Sequence, residues 1–375
     1  MTIRTAFVAP LLALVAALPL AGAAQSNAPY RIGATIPLTG PLVLSVAESY
    51  VGAQIAIDDI NRHGGVKGHP LQIVQEDSQG SPQAGVAAMR KLVQVDGVKV
   101  VYTLYTNVVT AQIPLADQLR VPFLTMIEVP GVVSKGQYAF DHASNGGLTV
   151  PVLREYWRAK HVKRMFAFLG NNAFGQGYST LLKAAAQAIG AEYAEAFLDL
   201  NETDFRGVVT RAKEFNPDVV LATAQGGAAE TTVLRQVREL GMTVPMFTPT
   251  NNFDQKTWRD AMGPYAEGMI FAGLHVDPTV GRDFVRAYRE KMGYYPGYQA
   301  GESYDCMRIL AYAIGKGGYD SDGVRNALAG LKSFPSVLGG TLSMGDDHYT
   351  QIGAVGLFYV KNGKLVKLPM PKGSR

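Results

Sequence analysis

Four short polar stretches carry the side chains best suited to holding a small solute. They are Thr39-Gly40-Pro41 with Ser45, Thr106-Asn107, Asn171 to Gly175, and Gln225-Gly226-Gly227. Each directly precedes a segment of helical periodicity, so its backbone N–H groups are the unpaired donors of a helix's first turn, at the positive end of the helix dipole. A carboxylate or carbonyl oxygen is the natural occupant of such a place. Any one of these loops is equally explained by ordinary N-capping with Ser, Thr or Asn; four of them on one side of the molecule require more. Covalent chemistry has no comparable support. The chain has no G-x-S-x-G elbow, no G-x-x-x-x-G-K-[ST] loop and no H-E-x-x-H, and its six histidines lack ligand spacing, so no catalytic residue, metal or cofactor is expected. The glycine-rich run 170–177 does not fit G-x-G-x-x-G, which argues against a nicotinamide site.

Loops of this kind need elements to bring them together. Short β-branched or apolar runs at 31–36, 71–76, 98–102, 122–127, 164–169, 193–198, 218–223 and 246–248 alternate with amphipathic stretches. Those stretches cover 45–61, 82–95, 108–119, 177–189, 205–215 and 228–240. Regular alternation predicts parallel sheets covered by helices on both faces. Right-handed crossovers then place every strand's C-terminal end, and the polar loop after it, on one edge of its sheet. The pattern restarts after 138–147, where Asp141, Asn145, Gly146 and Gly147 mark a crossing between two lobes. Beyond Phe271 the order changes to helices at 282–292, 301–314 and 322–331 and weaker strands at 341–344 and 355–360. A tail of that kind returns to both lobes, giving three crossings and a hinge. The expected lobes are 28–145 with 275–332, and 146–274 with 333–375.

The amino terminus predicts where this happens. Arg4 precedes an apolar run from Ala6 to Leu20 and a small-x-small site at Ala21-Gly22-Ala23, the pattern of an export signal over 1–24 cut near Ala23. With Arg4 removed the net charge falls from +4 to +3, with no basic run, which gives no reason to expect nucleic acid. A mature chain of roughly 350 residues exceeds the size at which one core stops growing. Cys306, the only cysteine, excludes an intramolecular disulfide and lies in a helical pattern that predicts an inert, buried thiol.

Further marks carry a resemblance. The run from Ile32 to Pro41, Gly52-Ala53, the run from Ala56 to Asn61, Gly64-Gly65-Val66-Lys67-Gly68, the run from Asn172 to Gly177, Phe205, Pro217 to Val220, Leu234-Arg235-Gln236 and Tyr304-Asp305 span the chain. Together they resemble the periplasmic solute-binding proteins of the leucine/isoleucine/valine type that feed ATP-driven importers. The resemblance implies an α/β fold of two doubly wound parallel-sheet lobes joined by a three-crossing hinge, the type I periplasmic binding protein. It also implies a solute closed between the lobes and a membrane permease as partner to a monomer. A sensory subunit docking on a receptor is the alternative partner reading.

The resemblance extends to site residues, with departures. A serine of the leucine-type members matches Thr106, and the threonine that joins it in holding the ligand carboxylate is replaced here by Val129. Two tyrosines become Ser45 and Phe174, and the acid that pairs with the ligand ammonium becomes Thr250. Glu128 either supplies that missing charge or lies at the rim. The expectation is therefore a small organic acid or amide without an obligatory α-ammonium, with a true branched-chain amino acid as the alternative. The expected first-lobe contacts are Ser45, Tyr105, Thr106, Asn107 and the backbone at Ile127, Glu128 and Val129. Phe174, Gln225, Gly226 and Thr250 are expected from the second lobe, and Tyr102 and Phe253 as further apolar wall. Asn61 is expected to cap the C-terminal end of its helix.

Overall fold

The computed structural model describes residues 27–40, 42–225, 228–351 and 355–369. The expected export signal over 1–24 and Gly226 lie outside the described residues, as does the side chain of Ser45. The chain begins with β1 (Tyr30–Ile36), α1 (Val43–Arg62), β2 (Leu71–Asp77), α2 (Pro82–Gln94), β3 (Val101–Leu104), α3 (Thr106–Leu119), β4 (Phe123–Met126) and β5 (Ala139–Asp141). These strands form a sheet in the order β2-β1-β3-β4-β5, every pair parallel. There follow α4 (Gly146–Ala159), β6 (Arg164–Gly170), α5 (Ala173–Ile189), β7 (Glu192–Leu198), α6 (Arg206–Phe215), β8 (Val219–Thr223), α7 (Ala228–Glu239), β9 (Met246–Thr248), α8 (Lys256–Met262) and β10 (Ile270–Gly273). The chain then runs through α9 (Arg282–Met292), α10 (Tyr298–Gly317), α11 (Ser321–Ala329), β11 (Phe334–Pro335), β12 (Thr341–Met344), β13 (Thr350–Gln351), β14 (Gly356–Lys361) and β15 (Lys364–Leu368). The second sheet has the order β15-β14-β10-β9-β8-β6-β7, antiparallel only at β10–β14 and β14–β15. β11, β12 and β13 make a small antiparallel sheet.

Central strands such as β3 and β8 are buried along their whole length, as parallel strands covered on both faces must be. Burial of Ile32, Tyr102, Leu124, Phe284, Met307 and Leu310 in one cluster ties the first sheet to α9 and α10, although some 140 residues of chain separate them. Helices α1 and α10 pack with almost no gap: a Cβ on Gly52 would lie 2.1 Å from the Ala300 carbonyl oxygen. A second cluster joins α2 and α3 to α4, α5 and the near face of the second sheet through Val109, Phe123, Trp157, Met165, Tyr178 and Phe247. The far face of that sheet is closed by Phe168, Val233, Phe253 and Phe271.

Helix α4 was not expected, because Gly146, Gly147 and Pro151 suggest a loop. The Asn145 side chain accepts a hydrogen bond from the Gly147 N–H and starts the helix there. Asn61 does not cap α1. Its amide donates to the Leu71 carbonyl (2.9 Å) and accepts from the Leu71 N–H (2.7 Å), pinning the first residue of β2 to the helix. The first and last passages between the sheets run side by side, since the Asp141 N–H donates to the His348 carbonyl.

Strand order fixes the place of the site. In each sheet consecutive strands reverse direction of progress at one point, between β1 and β3 in the first and between β6 and β8 in the second. The loops at the C-terminal ends of strands beside such a point diverge and leave a crevice. Tyr105 and Thr106 follow β3, Phe174 follows β6 and Gln225 follows β8.

Candidate functional site

The two crevices meet in a cavity of about 40 Å³, room for about three waters or a small polar head. It is lined by Tyr105, Thr106, Met126, Ile127, Glu128, Phe174, Gln225, Asn252, Tyr298, Gln299 and Glu302. Six of these were expected from the sequence. Hydrogen bonds join the two sides around it: Gln225 Nε2 donates to Asn107 Oδ1 (3.3 Å), and Thr257 Oγ1 donates to Glu48 Oε1 (2.9 Å).

The backbone is bent to shape both walls. Tyr105 has φ +73° and Gln225 φ +63°, in the left-handed region that costs a side-chain-bearing residue of order 1–3 kcal/mol. Tyr105 takes the place before the first turn of α3, and its side chain makes no capping bond. Thr106 is the first helical residue and does not cap either, which removes plain capping as the alternative to a solute contact. Thr106 lines the cavity and is almost wholly buried, and its hydroxyl has no hydrogen-bond partner among the described residues. On the opposite wall Asn172 caps α5 by accepting from the Gly175 N–H (3.0 Å). Gly175 must be glycine, since a Cβ there would lie 1.9 Å from the Gly170 carbonyl oxygen; the close start of α5 on β6 puts Phe174 in the wall.

Several expected contacts have other work. Asn107 donates to the Gly80 carbonyl (2.7 Å) and accepts from Gln225, so it ties the walls together without lining the cavity. The Ile127 N–H donates to Asp141 Oδ1 (3.3 Å) and is not free for a solute; Ile127 lines the cavity without offering that donor. Val129 packs on Gly177, and its carbonyl accepts from the Tyr349 hydroxyl. Thr250 is buried against Thr248, hydroxyl to hydroxyl at 2.7 Å. Tyr102 bonds Ser303 (2.8 Å) behind the wall, and Phe253 packs on Trp258 in the far core. Ser45 falls in the first turn of α1.

Five lining residues had no clear sequence signal: Met126, Asn252, Tyr298, Gln299 and Glu302. Tyr298 and Glu302 stand four apart in α10 and so share a face. That signal was hidden because Gly297 and Gly301 make the helix look as if it starts later. Met126 closes β4, and Asn252 lies in a single 3₁₀ turn after β9.

The cavity is acidic. The Tyr298 hydroxyl donates to Glu128 Oε1 (2.7 Å), and the Ser144 N–H donates to Glu302 Oε1 (2.8 Å). Behind Asn252 sits Glu230, which accepts from the Ala224 N–H (2.9 Å) and the Asn252 amide. Burial pushes Glu128 up to about 7 and Glu230 up to about 8, and it raises Glu302 and Asp141 as well. Repulsion from Glu128 adds to the rise at Glu302. No lysine, arginine or histidine lines the cavity among the described residues. No group of acids, histidines and cysteine suited to a metal ion occurs among them either, and burial pushes the Cys306 thiol up, away from reactivity. The arrangement can bind a small polar group.

Comparison with known proteins gives this geometry a context. Residues 29–364 match the profile of a family described as periplasmic binding protein. A Leu/Ile/Val-binding protein homolog of Brucella melitensis is 26% identical over 361 residues, with 92% of this chain and 95% of that protein covered. The fold matches a leucine binding protein from Thermotoga maritima with a TM-score of 0.81 at 20% identity, over 90% of this chain and 97% of that one. It also matches a solute binding protein from Rhodopseudomonas palustris in complex with 3,4-dihydroxy benzoic acid, with a TM-score of 0.78 at 20% identity, covering 90% and 96%.

Proposed function

The chain belongs to the periplasmic binding protein family, and from that premise we propose that it captures a small organic solute in the cavity between its two sheets and delivers it to the permease of an ATP-driven importer. The observation that carries the reading is Thr106, which lines a cavity whose walls come from both crevices and whose buried hydroxyl has no partner among the described residues. A polar group desolvated without a hydrogen bond is destabilising, and a bound solute removes that penalty.

The mechanism is a population shift. Open and closed forms interconvert, and a solute that touches both walls favours the closed form by its difference in affinity. The lobes that move are 28–145 with 275–332, and 146–274 with 333–375. Strand order supports two lobes, and the last boundary is better drawn nearer His348, because Val337, Leu338, Leu342 and Met344 share the core of the first sheet. Asn107 and Gln225 hold the walls together on closure. The chain acts as a monomer in the periplasm after loss of residues 1–24, and no helix among the described residues is long and apolar enough to cross a membrane. It does no covalent chemistry on the solute.

Relatives are named for leucine, isoleucine and valine, and a structural neighbour holds an aromatic acid. Here Met126, Ile127 and Phe174 supply an apolar wall for a short aliphatic or aromatic body, for which the walls of this cavity of about 40 Å³ must part. The experiment is calorimetry of the solute that copurifies with the protein, on the natural chain and on Thr106→Ala. Weaker binding by the variant is expected, and equal binding would remove Thr106, and with it the cavity, from the account.

A further inference from the structure

Two carboxyl groups face the cavity and no cation answers them. Glu128 arrives from the end of β4 and Glu302 from α10, so the pair is assembled by two elements distant in sequence. Each accepts one hydrogen bond among the described residues, from the Tyr298 hydroxyl and the Ser144 N–H respectively. A carboxylate has about four acceptor positions, so most of the capacity of both is unused. Further acids stand behind them, Glu230 beyond Asn252 and Asp141 beyond Ile127. The other titratable groups facing Glu128 are the Tyr178 and Tyr298 hydroxyls, neither of which supplies positive charge. Basic groups elsewhere in the core are engaged: Arg308 with Asp305, and His275 with Asp254. Thr106 lines the same space, and its buried hydroxyl, without a partner among the described residues, independently marks it as a place for a ligand.

We propose that the solute carries a cationic head rich in N–H donors, an amidinium, guanidinium or primary ammonium, seated on Glu128 and Glu302, with Thr106 as a third polar contact and Phe174, Ile127 and Met126 around its apolar body. The inference rests on the reading of the cavity as the solute site. It departs from the organic acid expected from the sequence, a class that one structural neighbour holds. An anionic head would enter a space already holding two acids and could do so only with both of them protonated. A donor-only cationic head supplies the missing counter-charge and matches the unused acceptors, and a planar amidinium does so bidentately.

The test compares heads of one shape and three charges: acetate, acetamide and acetamidine, then benzoate, benzamide and benzamidine, and n-butylamine as the ammonium case. Binding is followed by calorimetry and by the rise in melting temperature between about pH 6 and pH 8. Burial of Glu128 places its ionisation inside that window. A cationic head therefore binds with release of protons from the protein and more tightly as pH rises, by up to about tenfold per unit for one coupled proton. The expected result is that a cationic member exceeds its matched acid by at least about tenfold, and that Glu302→Gln and Glu128→Gln each remove that preference. The amide substitutions relieve repulsion between buried acids, so both variants should unfold at or above the temperature of the natural chain, which separates lost recognition from lost folding. Preference for the acids, with proton uptake and tighter binding at low pH, would overturn the cationic head. No response to any cationic member would overturn it too. In either case the copurifying solute still reports on the cavity: its loss of affinity in Thr106→Ala would keep the cavity as the solute site, whereas unchanged affinity would reject that reading as well.

Discussion

Thr106 shows what a single residue contributes and how far its role was legible. Its place after a β-branched run and before a helix marked it, and the structure puts it in the cavity wall. The alternative of a plain capping role fails because the helix begins at Thr106 itself, and its hydroxyl has no partner among the described residues. That changes the expected outcome of Thr106→Ala. A cap would cost ~1 kcal/mol of stability on removal. An unpartnered buried hydroxyl costs nothing to remove, so the apo variant should be as stable as the natural chain or slightly more so. Affinity should fall by ~1.5–3 kcal/mol if the hydroxyl meets a charged solute group. Equilibrium unfolding beside calorimetry separates the two, and lost stability with intact affinity would restore the cap. Glu128 was left with two readings, and in the structure it is partly buried in the cavity wall and accepts from the Tyr298 hydroxyl. Val129 and Thr250 were singled out by alignment to a family pattern, which says where a residue falls along the chain but not which way its side chain turns.

At the scale of elements, periodicity recovered the central strands and long helices because burial on both faces of a parallel sheet leaves an unbroken apolar run. It missed α4 and the first turn of α10, where glycine and proline at helix starts look like loop. The second omission hid half of one cavity wall, since Tyr298, Gln299 and Glu302 lie in that turn and the next. The same helix carries a prediction. Glycine in a helix is ordinarily about 1 kcal/mol worse than alanine, so a free Gly52→Ala change would stabilise. Here the added methyl meets the backbone oxygen of Ala300 at 2.1 Å, and backbone cannot rotate away. Gly52→Ala should instead destabilise by about 1–3 kcal/mol as α1 is pushed off α10. The denaturant midpoint reads the sign directly, and a rise would mean that the two helices part without penalty.

For the molecule as a whole, the buried acids set how stability follows pH. Glu128 and Glu230 ionise at about 7 and about 8 when folded, against ordinary carboxylate values when unfolded. The folded chain then holds protons the unfolded chain has lost, and the resulting stability disappears as pH climbs through those values. Glu302, Asp141 and Asp305 are shifted upward by the same cause, and His275, raised by Asp254, loses its stabilising contact in the same direction. His142, pushed down to about 3 by burial, acts oppositely, but its effect falls below its unfolded value of about 6.5. Without solute, unfolding free energy should therefore drop by about 2–4 kcal/mol between pH 6 and pH 8. Equal or greater stability at pH 8 would mean these acids are solvated in a more open molecule.

The binding outcomes depend on where the solute sits. A crystal structure of the complex with the copurifying solute tests that most directly. The solute should lie between the ends of β3 and β8, within hydrogen-bonding distance of Thr106 Oγ1 and of Glu128 or Glu302, with Phe174 against its apolar part. A solute bound elsewhere on the molecule, with this cavity still holding only solvent, would contradict the account.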